Sequence, residues 1–140
     1  MQNFATSMLW FWVCYFIVTV VGILHTVFNI YVLHMSPMNA ESMGEGYEKT
    51  KPWHPLYNII LFSVFGYLYL VNLPVPSLEE ALITGAIWCG ICIVFDLFGW
   101  VIVKHPWSLT FKGFYIDYQP WITLIYIAIF LGPVVGYCFI

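Results

Sequence analysis

Apolar residues in this chain come in long unbroken runs rather than in alternation. The four longest cover about 8–33, 55–73, 78–103 and 121–140. Each meets or approaches the ~20 residues that a helix needs to cross a ~30 Å hydrocarbon core. Barrel strands are half as long and alternate, so strands are not expected. The pattern predicts an all-α integral membrane protein, a four-transmembrane-helix bundle folded as a single domain over 1–140.

Local punctuation supports those limits. Asn72-Leu73-Pro74-Val75-Pro76 breaks the chain, and Ser77 with Glu80 then forms a capping-box pattern that starts the third span. Pro55, Pro106 and Pro120 stand at span edges, where a missing N–H costs least. Trp10, Trp12, Trp53, Trp100, Trp107 and Trp121 lie near the expected boundaries, as interfacial anchors do. The aromatic stretch over about 106–118 reads as an interfacial segment or an ordered loop.

The spans carry a faint repeat. Pro52-Trp53 precedes the second and Pro120-Trp121 the fourth, with Leu56, Ile59, Phe62 and Tyr69 matching Leu124, Ile127, Phe130 and Tyr137. Val27-Phe28-Asn29 likewise matches Val94-Phe95-Asp96. The matches suggest two parallel hairpin repeats.

Composition sharpens this picture. Charged residues make up 8% of the chain, against about 25% in a soluble domain. There is no arginine, so no basic patch exists to neutralise phosphates, and nucleic acid is excluded as a partner. Lys49, Lys51, Lys104 and Lys112 all fall in the two longer loops. Their bias makes that side cytoplasmic, giving N-out and C-out in what we expect to be a bacterial plasma membrane. The first apolar run follows a segment without Lys or Arg and exceeds a signal-peptide core, so a cleavable signal is not expected.

Against this background one residue stands out. Asp96 lies within the third apolar run, where a carboxylate costs roughly 2.5–3.5 kcal/mol on insertion scales. Gly85, Cys89, Cys92, Asp96 and Gly99 recur at steps of four and three, which keeps them on one helix face. Cys14, Val18, Gly22, His25 and Asn29 form a similar face on the first span. If depth is counted back from the loop ends at ~1.5 Å per residue, Asp96 falls level with His25 and Asn29. Asp96, His25 and Asn29 are therefore the expected ion, proton or substrate site, with Tyr57, Asn58, Tyr67 and Tyr126 as expected cavity-lining residues. The simpler alternative is that the polar cluster only ties two helices together, since such hydrogen bonds average ~0.6 kcal/mol in membranes.

Ala128, Gly132 and Gly136 form a small-residue ridge on the fourth span, and Gly85, Cys89, Cys92 and Gly99 one on the third. Such ridges suit close helix packing, inside the bundle or in a homodimer. Cys89-Gly90-Ile91-Cys92 on a four-span chain resembles the vitamin K epoxide reductase family over those four residues and the helix count. That resemblance implies thiol–quinone redox chemistry. The chain has no loop cysteine pair to relay electrons, so packing explains these cysteines better. His34, His54 and His105 share no zinc-ligand spacing, and no metal or other cofactor is expected.

The leading expectation is a proton- or cation-coupled transporter or channel-like protein, with the lipid bilayer and a small molecule or ion as partners. An accessory or sensor protein binding a partner is the alternative, and a small membrane enzyme acting on a lipid or quinone is a third reading.

Overall fold

Two side-chain caps start the longest helices. Asn3 accepts from the Thr6 amide at 3.1 Å, and Ser77 accepts from the Glu80 amide at 3.1 Å. Each satisfies a backbone donor that the first helical turn leaves free. The computed structural model describes residues 1–39 and 43–140, and among these all regular structure is helical. Helix α1 spans Phe4–Tyr31, α2 Gly44–Thr50, α3 His54–Leu70, α4 Leu78–Asp96, α5 Phe111–Tyr115 and α6 Trp121–Tyr137. A 3-10 turn, Lys51–Trp53, joins α2 to α3, and α4 runs on as a π-helical segment, Leu97–Ile102.

The four long helices fall where the apolar runs placed them. Two of them, Phe4–Tyr31 and Leu78–Ile102, are long and apolar enough by themselves to cross a bilayer. Helices α3 and α6 have 17 residues each, roughly 26 Å of rise. The aromatic segment after Pro106 holds the short helix α5, capped by Thr110 on the Gly113 amide.

Glycine decides which helices touch backbone to backbone. A Cβ on Gly66 would lie 2.6 Å from Pro133 Cα, and one on Gly132 would lie 2.5 Å from Phe62 Cβ. One on Gly136 would meet Ser63 O at 2.5 Å, and one on Gly85 would collide with Phe130 O. Helix α6 is thus pressed into α3 on one side and α4 on the other. The ridge of Ala128, Gly132 and Gly136 is buried within the chain and is not left free for a second copy.

Helices α1 and α4 meet differently, through long side chains. Phe11, Phe62 and Trp88 are fully buried, and their ring centroids lie 5.8–6.2 Å apart. Trp88 Nε1 donates to Ser7 Oγ at 2.9 Å, and Trp12 packs on Phe95 at 4.5 Å. These rings wedge α1 away from α4. At the end carrying residues 1 and 2, Glu80 accepts from Tyr69 OH and from the Gln2 amide, both at 2.8 Å.

At the loop end α2 lies across the last turns of α1. Asn29 Nδ2 donates to Gly46 O at 3.0 Å and to Thr50 Oγ1 at 3.1 Å, and Thr26 Oγ1 lies 3.1 Å from Thr50 Oγ1. Helix α1 packs on α3 and α4 on α6, but most of the close glycine contacts join α3 to α6, across the two halves, and among the described residues only the first half carries α2. The halves are unequal.

Overpacking a closed helix contact costs about 1–3 kcal/mol. We expect Gly136→Leu to lower the thermal midpoint of the detergent-solubilised protein, followed by tryptophan fluorescence. Gly90, with nothing within 4 Å of its missing Cβ, is the control. Gly90→Ala should be neutral or slightly stabilising, because alanine favours helix by ~1 kcal/mol over glycine.

Candidate functional site

Because α1 is held off α4 by rings at one end only, the bundle is open at the other. One turn from Phe11 along α1 the wedge stops, and a cavity of about 330 Å³ runs from there towards the loops. Tyr15, Cys92 and Asp96 form its inner end, Gly22 and Thr26 belong to its α1 wall, and Ile122 and Ile125 belong to α6. Tyr47 of α2, Trp107 and Tyr118 line the part nearest the loops. Mostly apolar walls with a few convergent polar groups are the usual character of a small-molecule site.

Asp96 is the last α-helical residue before the π-helical segment and is only 7% exposed. Tyr15 OH donates to its Oδ1 at 2.8 Å, and Cys92 Sγ approaches Oδ2 at 3.5 Å. The hydroxyls of Tyr126 and Tyr115 are also buried and satisfy no hydrogen bond among the described residues. A π-helical turn is rare and often marks functional positions. Its wider winding also rotates Gly99 off the packed face, where it is exposed with no atom near its missing Cβ. The α-helical spacing that put Gly99 with Gly85, Cys89, Cys92 and Asp96 ends at Asp96.

His54 opens α3 and lines the same cavity. Its Nδ1 is hydrogen-bonded to Tyr118 OH, while its Nε2 is buried with no hydrogen-bond partner among the described residues. A Cβ on Gly22 would stand 3.1 Å from Nε2, so the glycine leaves the imidazole its place. One turn further, Asn58 Nδ2 donates to His54 O at 2.8 Å. Lys51 Nζ sits 5.1 Å from the ring centre of Tyr118 and 5.8 Å from that of Tyr47, and pairs with Glu48 at 2.7 Å. Burial pushes the Tyr47 phenol up to about 12 and holds that of Tyr118 well above its ordinary value, so both stay neutral.

The residues expected from the sequence are only partly together. Asp96 and Asn58 line the cavity. The grouping of Asp96 with His25 and Asn29 is not formed. His25 Nδ1 pairs with Tyr57 OH at 2.5 Å, with Trp53 at its edge, and Asn29 is spent on α2. Tyr57 is therefore taken up outside the cavity. Tyr67 lies in a shallow surface recess with Ser63, Val64 and Phe139, and Tyr126 lies behind Asp96 without lining the space.

The reason is a shift in level. From Tyr15 to the end of α1 are 16 residues, but from Asp96 to Ile102 only six. Helix α1 therefore overshoots by roughly 15 Å, so equal distances from the loop ends of α1 and α4 are not equal depths. The missed residues are Tyr15, Tyr47, His54, Tyr118 and Trp100. Tyr15, Thr19, Gly22 and Thr26, at steps of four and three, carried a readable signal for the α1 wall. Cys89 Sγ points to Tyr126 O at 3.5 Å, and all four cysteines are free thiols. Among the described residues no three His, Cys, Asp or Glu side chains gather as a metal site.

Each hydrogen bond lost costs about 0.5–1.5 kcal/mol net, and Asn29 makes two to α2. Asn29→Ala should therefore raise amide exchange across Gly44–Thr50 about tenfold, while exchange in α6 stays as it is; hydrogen–deuterium exchange mass spectrometry reads both.

No protein-family model matches the chain, and no curated protein or solved structure matches it either.

Proposed function

We propose that this chain is a small polytopic membrane protein that couples the movement of a small molecule or ion to protonation or cation binding at Asp96. The observation that carries the reading is the buried carboxylate at the inner end of a cavity that runs towards one end of a helical bundle. Intramembrane acids face protein or water-filled space and mark ion or substrate paths. The four long helices would all cross the bilayer, with the lysine-bearing loops in the cytoplasm and both ends of the chain outside.

The outer surface supports the bilayer part of this reading. Phe16 is 70% exposed and Leu24 60%, and Leu9, Ile60, Phe95 and Ile127 are exposed with them. Soluble monomers rarely leave so broad an apolar surface in water. At ~26 Å, α3 and α6 approach the hydrocarbon thickness, and a modest mismatch is met by bilayer thinning or by flanking anchors. Trp53 and Trp121 stand at the starts of these two helices.

A second reading, a small membrane enzyme acting on a lipid or quinone, draws on one observation: the unpartnered His54 Nε2 among cavity-lining residues, a group able to accept or give a proton. It predicts a lipid or quinone retained through purification.

The transport reading is tested in proteoliposomes loaded with a pH-sensitive dye and challenged with a panel of amines, organic anions, sugars and metal ions. At least one compound should move the internal pH, and Asp96→Asn should abolish that response while leaving tryptophan-monitored unfolding unchanged. A silent panel, or an undiminished response in Asp96→Asn, defeats it.

A further inference from the structure

We infer that the cavity takes a small organic cation with apolar substituents, an alkyl- or aralkylammonium whose charge meets Asp96 and whose body lies among Tyr15, Trp100, Trp107 and Tyr118. This deepens the reading of Asp96 as a cation-responsive site and rests on it. Charge provides the first argument. Among the described lining residues Asp96 is the only carboxylate, and no lysine joins it. Its hydrogen bonds come from a phenol and a thiol, both neutral donors. A buried carboxylate with no cation beside it is costly, and a bound ammonium would remove that cost.

The walls select what kind of cation. A bare metal ion needs a cage of oxygens. Among the described lining residues Asp96 gives the only charged oxygens, and Thr19 and Thr26, which donate to Tyr15 O at 2.7 Å and Gly22 O at 3.0 Å, are few to complete such a cage. Apart from these, His54 and Asn58, the lining is aromatic and aliphatic surface. Aromatic rings attract ammonium groups within ~6 Å of their centres and are the recurrent lining of sites for quaternary ammonium. The Tyr47–Tyr118 ring pair already takes one ammonium, that of Lys51, and Glu48 neutralises it. The fixed charge nearest the outer part of the cavity is therefore compensated, and Asp96 sets the sign inside. A space of about 330 Å³ has room for a compact aralkyl cation.

The test compares two molecules of one shape, benzyltrimethylammonium and its uncharged carbon isostere neopentylbenzene, by calorimetric titration of the full chain in lipid nanodiscs. We expect saturable one-site binding of the cation, with the isostere at least tenfold weaker. Asp96→Asn should erase that preference. Trp107→Leu, at a half-exposed position that leaves the charge in place, should weaken the cation severalfold. Equal binding of the two molecules, no saturable binding of the cation, or an undiminished preference in Asp96→Asn overturns the inference. Should Asp96→Asn fail to fold, the comparison in the unaltered protein and Trp107→Leu still decide. Because these titrations read binding alone, a cation bound without proton movement defeats coupled transport but not this inference. Proton movement with some other cargo, and no preference for charge here, defeats this inference alone.

Discussion

Unequal helix spacing governs this molecule. Helix α6 touches α3 and α4 at glycines, with backbone and Cβ atoms as neighbours, whereas α1 rests on α4 through Phe11, Trp12, Trp88 and Phe95. Three helices form a tight slab, and the fourth packs on α3 but stands off α4 by the thickness of an aromatic ring. Small residues let helix backbones approach closely and gain dense van der Waals contact. The slab has that contact and α1 has less, so the void lies along α1.

The position of the carboxylate follows from the same spacing. An acid on α4 facing α6 would meet backbone; facing α1 it finds Tyr15, whose length spans the gap, and the edge of the cavity. Cys92, one turn back, reaches the second oxygen. The π-helical turn that follows moves Trp100 and Val101 onto the face that α-helical winding would have given to Gly99. Trp100 thereby lines the cavity, and its carbonyl accepts the Leu109 amide at 2.7 Å, which brings the aromatic loop back over the opening.

Much of the architecture was readable in the chain. Unbroken apolar runs, the Ser77–Glu80 cap and the prolines at the edges set the four long helices, because each is a local consequence of backbone chemistry. The small-residue positions Gly85, Gly132 and Gly136 were readable for the same reason, although their partners were not. Asp96 announced itself by its cost. What stayed hidden depends on relative height: no local rule says that α1 runs about ten residues past the level of α4, so His25 and Asn29 looked like neighbours of Asp96 when Tyr15 is one. Helix α2 was equally illegible, since GEGYEKT has a loop composition and is held on α1 by the Asn29–Gly46 and Asn29–Thr50 bonds and a glycine contact with Ile30.

The aromatic wedge has a consequence for how such a molecule can diversify. Backbone-to-backbone contacts tolerate almost no change in side-chain size, but a spacer made of rings can be trimmed or enlarged one residue at a time. Replacing Phe11, Tyr15 or Trp88 by a smaller or larger side chain would alter the breadth of the interior room while the three-helix slab keeps its geometry. The fold thus separates the part that must stay constant from the part that sets what fits.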